Sequence, residues 1–504
     1  MLEPAGISIA AAQNYNQFDS LPRDLFATSA DVSQADVVLE QMDPDCYDTL
    51  VFPDFDFCMP ASHDVFRARL VELFPEEVSG IDKYIRMLQE VDIMQRAMLQ
   101  ASGKGVRGQL GMAWKLASSG RLLAQWRDKP LGPFLHSCTR NPRLLAVLAG
   151  QNGDYGLPPS EVSLMLHCGL TNHYLREGAF YPRGGGQAIS DALAARIETC
   201  GGVVHLRRAV RRIMVEGGTA VGVEVESRGK EPPPQVRARL VISAGDLENT
   251  LTKLLSPDAG LDDDSAATIA SKTRGFHNAE GLFMTCLGLD LSPDELRSFG
   301  MRSANYWCFD SYDFEQTYAD VRSGSRDDAF GCYITSASLK DPHVAHSPPG
   351  TTNVEVLTIC SPQPEHWGVN EEEAFGAGFK YRRNERYVAK KQALQDGMVR
   401  RLDARFPGLA DHVVFKESTT PFSHHRFTHG GTAYGLAASA DQFMRSRPGL
   451  TGPVDGLLMC GHSTRTGHGI AGAMLGGARA ARVAEALLKR WGVSARTPRV
   501  FGAG

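Results

Sequence analysis

Apolar residues at helical spacing dominate the first third of the chain. Two short apolar runs between residues 38 and 60 predict strands of an antiparallel sheet. The helical spacing then extends to about Gly150. Its marker positions are Phe66, Leu70, Phe74, Ile81, Ile85, Leu88 and Val91. A further helix is predicted near Ser160, because a serine that follows two prolines can cap a first helical turn.

The middle of the chain alternates between helix and strand patterns. After the segment FYPRGGG, one helix is predicted up to Gly201, and it is followed by three strand-like runs that end at Gly245. Further strands are predicted in GLFMTCLGLDL, FGCYITSAS and TNVEVLTIC, and one charged helix is predicted over 371–405. Helices and strands are about equally frequent, which indicates an α/β or mixed α+β fold with interleaved domains.

The C-terminal segment GLLMCGHSTRTGHGIAGAMLGGARAARVAEALLKR predicts a strand, a glycine-rich turn and a long helix. The N-terminus of a helix offers free N–H groups and a positive dipole end, which suit a phosphate. Gly467, Gly469 and Gly472 satisfy the G-x-G-x-x-G spacing. An ordinary dinucleotide-binding unit needs a second strand after the helix, and none is predicted here. A glycine-rich helix that packs closely on a neighbour is the alternative.

Composition restricts the possible classes of protein. The 504 residues are 42% hydrophobic and carry a formal net charge of −5, which favours a soluble protein of two or three domains and disfavours nucleic-acid binding. The ten cysteines contain no C-x-x-C pair, so we expect buried thiols and a reducing compartment. Neither a signal peptide nor a membrane-spanning helix is predicted, which indicates a cytoplasmic or peripheral membrane location.

Metal and hydrolytic chemistry are not indicated. His424 and His425 are adjacent, and neighbours on a strand would point to opposite faces, so no metal site is predicted from them. The chain shows no Ser/His/Asp order, no H-E-x-x-H and no P-loop lysine.

Five blocks together resemble the phytoene desaturase-like branch of FAD-dependent oxidoreductases, and most closely the retinol saturases. The resemblance spans about residues 45–490. It is carried by GIDKYI, by NHY with FYPRGGG and its helix, by the strand run ending in VRARLVISAG, by PFSHHRFTHGGTAYGL and by the C-terminal glycine-rich segment. It implies an amine oxidase-type, Rossmann-like FAD domain interleaved with a substrate domain.

The resemblance also implies residue roles. FAD would be bound by Val210, Ala244, Gly245, Gly461, His462, Gly469, Ile470, Gly472 and Ala473. An apolar polyene would be lined by Tyr174, Phe180, Tyr181 and Tyr434, because aromatic side chains line apolar pockets. His173 is the candidate catalytic residue, as a proton donor or an orienting group.

One element of that family is missing from the pattern. Its members open with a strand, a G-x-G-x-x-G turn, a helix and a second strand ending in Glu, and nothing before Val38 resembles this. Truncation is expected, and a partner chain or loss of flavin binding are the alternatives. We therefore expect weaker FAD binding by this chain alone.

These observations define a domain division and a function. The expected parts are an irregular segment 1–37, substrate domain 38–180 and 256–450, FAD domain 181–255 and 451–490, and a tail 491–504. The expected function is an FAD-dependent oxidoreductase acting on carbon–carbon double bonds of a carotenoid- or retinoid-like polyene. A flavin-dependent isomerase without net redox change and a non-catalytic binding protein remain as alternatives.

Overall fold

The protein is described by a computed structural model that covers residues 37–101, 120–227, 232–255, six positions between 261 and 273, 275–376, 378–426, 429–443, 447–465 and 469–493. The expected irregular segment 1–37, except Val37, and the tail beyond Val493 lie outside these residues, as does Gly467. Two compact units are formed, each from two stretches of chain. The first unit comprises Val38–Gly185 and Asn278–Phe443, and the second comprises Gly186–His277 and Met444–Gly504.

A mixed seven-stranded sheet organises the first unit. Its strands are β2 (Asp48–Val51), β3 (Asp56–Met59), β9 (Gly281–Leu289), β10 (Asn305–Cys308), β11 (Cys332–Thr335), β12 (Thr352–Cys360) and β13 (Val413–Thr419). Their order in the sheet is β13-β9-β12-β11-β10-β2-β3, and within it only β2 and β10 pair in parallel. A separate pair is formed by β1 (Leu39–Gln41) and β4 (Phe180–Pro182).

Helices surround this sheet. Those between β3 and β9 in the first unit are α1 (His63–Leu73), α2 (Val78–Ala101), α3 (Arg121–Trp126), α4 (Leu131–Cys138), α5 (Pro142–Ala149) and α6 (Leu164–Glu177). Those between and after its strands are α9 (Pro293–Ser298), α10 (Phe314–Ser323), α11 (Ala337–Lys340), α12 (Glu371–Phe375), α13 (Glu385–Arg405) and α14 (Pro421–His425). Polar caps start several of them: the Ser62 hydroxyl accepts from the Val65 N–H, and Asn141 precedes Pro142 at the start of α5.

Both faces of the sheet are buried, which explains the nearly continuous apolar sequence of β9. Met284 packs in the core with α1, α2 and α4–α6, whereas its neighbour Phe283 packs in a second core with α13. Alternate residues of a strand point to opposite faces, so a strand covered on both sides needs apolar residues at every position.

The second unit holds a three-stranded antiparallel ribbon and a two-stranded parallel pair. The ribbon is β5 (Val210–Glu216), β6 (Thr219–Val225) and β7 (Gln235–Arg237), and the pair is β8 (Val241–Ser243) with β14 (Leu457–Met459). Its helices include α7 (Gly186–Thr199), α8 (Leu247–Asn249) and the C-terminal α15 (Gly469–Arg490). The mixed α/β class predicted from the sequence is therefore confirmed.

Two sequence-based helix boundaries were wrong. The helix expected at Ser160 begins at Leu164, because Ser160 instead donates its backbone N–H and hydroxyl to Glu315 at 2.7 and 2.6 Å. The single helix expected over 371–405 is divided into α12 and α13, since α12 ends at Phe375, before Gly376, and Asn384 caps a new helix.

Two residue-level expectations also need correction. Cys46 and Cys58 form a disulfide between facing segments of the β2–β3 hairpin, so the cysteines are not all thiols. His424 and His425 lie in helix α14 rather than on a strand, so the geometric argument made for that pair does not apply. Among the described residues, no group of three or more His, Cys, Asp or Glu side chains is placed to hold a metal ion.

Candidate functional site

The second unit contains the ends of two strands and the start of a helix that were predicted to bind the cofactor. We call this set the cradle and define it as Ala244, Gly245, Gly461, His462 and the first turn of α15. Strands β8 and β14 run parallel, so their carboxyl ends share one edge. Gly461 follows β14 with φ +99°, and a Cβ there would lie 3.3 Å from the carbonyl oxygen of Ala244. Both the dihedral angle and the close approach favour glycine at this position.

Helix α15 starts at Gly469, whose φ of +79° sets the turn into the helix. Ile470 and Ala473 are half-buried in its first turn, whereas Gly472 is buried. The helix is long enough, at 22 residues, to present a full dipole at its N-terminus. The described part of the glycine motif therefore provides a start that suits an anionic group.

His462 adds a buried polar atom to the cradle. Its Nε2 has no hydrogen-bond partner among the described residues, and its backbone carbonyl accepts from Arg447 Nη1 at 2.8 Å. Burial lowers the pKa of this imidazole, so the neutral ring carries one N–H at neutral pH. That N–H is available to a ligand oxygen.

Three of the expected cofactor residues, Val210, Ala244 and Gly245, are exposed to solvent in the second unit. Val210, at the start of β5, is 39% exposed, which excludes a plain core valine. Ala244 and Gly245 are exposed just after β8. A Cβ at Gly245 would meet its nearest neighbour at 3.9 Å, so the surrounding protein does not itself require glycine there.

The expected substrate residues all fall in the first unit. Tyr174 on α6 is fully buried and stacks on Tyr47 with ring centroids 5.2 Å apart. The Tyr434 hydroxyl donates to the carbonyl of Gly153 at 2.6 Å. Phe180 and Tyr181 are half-buried on β4, and Lys340 Nζ lies 5.4 Å from the centroid of the Tyr181 ring.

His173 is buried on α6, with 3% of its surface exposed and no hydrogen-bond partner for either ring nitrogen among the described residues. Burial, with a smaller contribution from Arg176, lowers its pKa to about 4. The ring is therefore neutral at pH 7 and retains a free N–H and a free acceptor nitrogen. Such a group can orient a polar atom of a ligand.

A buried carboxyl cluster, Asp48 and Asp154 with the tyrosines around them, was not predicted from the sequence. Asp48 on β2 is fully buried and accepts hydrogen bonds from Asn305 Nδ2 at 2.7 Å, Trp307 Nε1 at 3.1 Å and Gln151 Nε2 at 3.2 Å. Burial raises its pKa, and these donors oppose that rise. The net effect on the pKa is a rise, since burial outweighs the three hydrogen bonds.

Asp154 differs from Asp48 in its hydrogen bonding. It is 5% exposed, and neither carboxyl oxygen has a hydrogen-bond partner among the described residues. Burial, followed by the charge of Asp48, raises its pKa well above the ordinary value. Such an environment favours the neutral carboxyl over the carboxylate. The only sequence signal was an Asp beside glycine in QNGDYGLPP, which is equally typical of a surface turn.

The turn that carries Asp154 is rigidly held. Tyr318 donates to the Asn152 side chain at 2.9 Å, and Tyr434 bonds Gly153 as described above. A Cβ at Gly153 would lie 2.2 Å from the Trp307 ring. The backbone of this turn is therefore clamped between aromatic rings, which fixes the position of the carboxyl group.

Two further buried polar groups border the same core. His167 contacts the hydroxyls of Tyr84 at 2.8 Å and Tyr155 at 3.2 Å, and burial lowers its pKa to about 3. Lys340 is 4% exposed, and burial lowers its pKa to about 8. The charges of Glu355 and Asp48 partly stabilise its cationic form.

Comparisons with known proteins agree with this arrangement. The sequence profile of the flavin-containing amine oxidoreductase family matches residues 124–311. An all-trans-retinol 13,14-reductase of Danio rerio is 26% identical over 369 residues, which are 71% of this chain and 57% of the relative. Prolycopene isomerase 1, chloroplastic, of an Oncidium hybrid cultivar is 24% identical over 416 residues, 81% of this chain and 64% of the relative.

The fold is shared with solved structures. An oxidoreductase from Methanosarcina mazei superposes with a TM-score of 0.53 at 17% identity, over 90% of this chain and 83% of that one. The chain therefore has the fold of this oxidoreductase. The chain is thus similar to the flavin-containing amine oxidoreductase family over residues 124–311 and, at 24–26% identity, to a retinol reductase and a prolycopene isomerase. It spans a little over half the length of the retinol reductase above.

The match to a flavin-containing family indicates FAD as the cofactor. The cradle fits part of that molecule: Gly461 and Gly469 shape a turn in front of a helix N-terminus, and His462 Nε2 is buried without a described protein partner. Both features suit the phosphate or ribityl region. Among the described residues, no helix is both long and apolar enough to cross a membrane.

Proposed function

We propose that this chain is an FAD-dependent oxidoreductase that acts on carbon–carbon double bonds of an apolar polyene or isoprenoid. The relatives named retinol reductase and prolycopene isomerase support this substrate class. The observation that carries the proposal is the buried cluster of tyrosines and carboxyls in the first unit, which offers an aromatic surface and an acid without an activated nucleophile. Double-bond chemistry on a hydrocarbon chain can use an aromatic surface and an acid, and it does not require an activated nucleophile.

The two units would have different roles, one in cofactor binding and one in substrate binding. We propose that residues 186–277 and 444–493 bind the cofactor and that residues 38–185 and 278–443 bind the substrate. Bound FAD supplies hydride transfer to or from carbon. The cradle's N–H groups and His462 hold the anionic part of the cofactor, and Val210, Ala244 and Gly245 face its nucleotide portion.

The residues of the first unit act on the substrate. The rings of Tyr174, Phe180, Tyr181 and Tyr434 contact the apolar chain and exclude water from it. His173 orients a polar end through its neutral imidazole. The Asp48 carboxyl group, held in place by three donors, contributes a fixed polar group beside the tyrosines.

A spectrum and a product analysis test the proposal. Purified chain is loaded with FAD, and bound flavin is measured by its visible absorption after gel filtration. The loaded protein is then reduced with dithionite and incubated without oxygen with all-trans-retinol or with a carotene. A product two mass units heavier supports reduction, whereas an isomer of unchanged mass supports the isomerase function suggested by the prolycopene isomerase relative. Retained flavin without any product contradicts both.

Substrate solubility suggests a location. Long polyenes partition into lipid, so we propose that the protein contacts membranes peripherally to collect its substrate. Flotation with phosphatidylcholine vesicles, with and without dissolved retinol, tests this. Protein that remains at the bottom of the gradient in both cases contradicts it.

A further inference from the structure

The segment between α12 and α13 exposes an aromatic ring on the surface of the first unit. Phe379 is 38% exposed and has φ +53°, in the left-handed region of backbone conformation. That conformation is uncommon for a bulky residue and is less favourable than ordinary helical or extended backbone. The ring is therefore presented to solvent although neither apolar burial nor backbone preference favours this position.

Two guanidinium groups hold the Phe379 ring. The Cζ atom of Arg382 lies 4.7 Å from the centroid of the ring, and the Cζ atom of Arg426 lies 5.5 Å from it. Arg382 belongs to the short 3₁₀ helix Lys380–Arg383, whereas Arg426 directly follows α14. Cation–π contacts of this kind are attractive. The ring is thus fixed by groups from two separate parts of the chain.

The positive charge beside this ring exceeds the negative charge. The stretch 379–386 contains four basic side chains and one acidic side chain, Glu385. One of the cations is neutralised, because Lys380 Nζ pairs with Glu372 at 2.5 Å. The other three are exposed and form no ion pair with a carboxylate of the described residues: Arg382, Arg383 and Arg386. We call Phe379 and these three arginines the aromatic–basic patch.

Other exposed arginines of the first unit have acidic partners. Arg67 pairs with Asp82, and Arg297 pairs with Asp294, both at 2.6 Å. Unpaired guanidinium groups can instead bind phosphate or carboxylate groups of a ligand. Surplus cations next to an exposed aromatic ring are typical of surfaces that bind anionic membranes.

We propose that the aromatic–basic patch docks this protein on an anionic phospholipid surface. The inference rests on the peripheral membrane contact proposed above, but not on the proposed reaction. The Phe379 ring enters the boundary between headgroups and acyl chains, and the three arginines bind the lipid phosphates. The patch lies entirely within 379–386 of the first unit, so it does not depend on how the second unit is placed.

A lipid surface fits the patch better than a nucleic acid does. The guanidinium groups over the Phe379 ring occupy ring surface that a nucleobase would need for stacking. The chain as a whole has a net charge of −5, which opposes long-range attraction to any polyanion. Binding therefore has to come from local contacts, and a lipid interface both buries the ring and supplies phosphates to the arginines.

Flotation of the full chain with two kinds of vesicle tests the lipid specificity. One kind is pure phosphatidylcholine, and the other also contains phosphatidylserine. We expect wild type to bind the vesicles with phosphatidylserine more tightly. That preference should decrease as salt is added, because salt screens the arginines. Equal binding to both vesicles at low salt would contradict recognition of anionic lipid.

Single substitutions test the patch itself. Phe379→Asn removes the ring and keeps a residue that tolerates the left-handed conformation, and we expect about tenfold weaker vesicle binding. Arg383→Gln should weaken binding about fivefold. Phe415→Thr is the control for the ring, since Phe415 on β13 is 48% exposed. Arg297→Gln is the control for the charge. Both controls should bind as wild type does.

Amide hydrogen exchange gives a readout that needs no variant. In wild type, exchange in the stretch 379–386 should become slower when vesicles with phosphatidylserine are added. Exchange in β13, which contains Phe415, should not change. The same result is informative even if Phe379→Asn fails to fold.

The outcomes separate the proposals. If wild type binds neither kind of vesicle, the proposed membrane contact fails together with this surface. If wild type binds but both patch variants bind equally well, or if exchange at 379–386 is unchanged, only the aromatic–basic patch is refuted. Retention on heparin that Arg383→Gln weakens, without any vesicle binding, would indicate a general polyanion site and also refute it. Turnover of retinol dissolved in detergent tests the proposed reaction separately.

Discussion

Asp48 and Asp154 interact through the same buried cluster, yet Trp307, Asn305 and Gln151 all donate to Asp48 and none of them to Asp154. The difference arises from position. Asp48 lies on β2, beside the parallel strand β10 that supplies Asn305 and Trp307. Asp154 lies in a turn whose other polar groups are bonded to Tyr318 and Tyr434.

Stability should depend on pH through Asp154. Its pKa is raised in the folded state, so the folded protein binds more protons than the unfolded chain at pH values above the unfolded pKa of about 4. The contribution of Asp154 to the free energy of unfolding is therefore fully present below pH ~4. It decreases as pH rises, by up to about 1.4 kcal/mol per pH unit. Asp154→Asn should remove this dependence.

Urea unfolding of wild type and of Asp154→Asn between pH 4 and 8 measures this pH dependence of the free energy of unfolding. We expect the free energy of unfolding of Asp154→Asn, relative to wild type, to increase with pH. A constant difference across this range would mean that the carboxyl ionises normally.

Asp48 should be a strong stability determinant. In Asp48→Ala the donors of Gln151, Asn305 and Trp307 lose their acceptor inside the core, and each buried unsatisfied donor costs about 1–3 kcal/mol. We expect the free energy of unfolding to fall by about 2 kcal/mol or more. Asp56→Ala removes a carboxylate that pairs with Arg405 near the surface, and it should cost less than about 1 kcal/mol. Similar losses for both variants would contradict the importance of the buried network.

Two glycines of the second unit should respond in opposite ways to alanine. Gly461→Ala places a side chain at φ +99° and 3.3 Å from the Ala244 carbonyl oxygen, which should cost about 1–2 kcal/mol and weaken flavin retention. A Cβ at Gly477, inside α15, meets nothing within 4 Å, so Gly477→Ala should stabilise by about 0.5–1 kcal/mol. Thermal unfolding and flavin absorption measure both effects. Full flavin retention by Gly461→Ala would argue against the cradle.

His173→Phe should separate stability from activity. The buried imidazole has two nitrogens without described partners, and its replacement by an apolar ring removes a desolvation cost of roughly 1 kcal/mol. We therefore expect equal or higher stability together with lower turnover of retinol. His63→Phe, which changes a half-buried histidine bonded to Asn172, is the comparison outside the proposed site. Unchanged turnover of His173→Phe would exclude an orienting role.

Local pattern predicted much of the fold. The spacing of apolar residues predicted strands at β9, β11 and β12 and helices at α1 and α2. These predictions hold because the apolar residues of these elements form the two cores that cover the sheet. The division between α12 and α13 was missed because capping by Asn384 competes with the continuous charged pattern. Local pattern cannot resolve such competition.

The site was harder to predict than the fold. Asp48 and Asn305 are 257 residues apart in the chain and meet only through the pairing of β2 with β10. Nothing near Asp154 in the sequence shows that aromatic residues from distant segments bury it. The cradle could be anticipated because its glycines and helix are contiguous, whereas the carboxyl cluster depends entirely on tertiary structure.

The pairing of β2 with β10 has a consequence during synthesis. At about 5–20 residues per second, a ribosome needs on the order of 10–50 s to reach β10 after it has made β2. During that interval the apolar face that includes Leu50 has no partner strand on that side. A newly made chain is therefore exposed to aggregation until its central sheet can close, and its yield in cells should depend on chaperones that bind early segments.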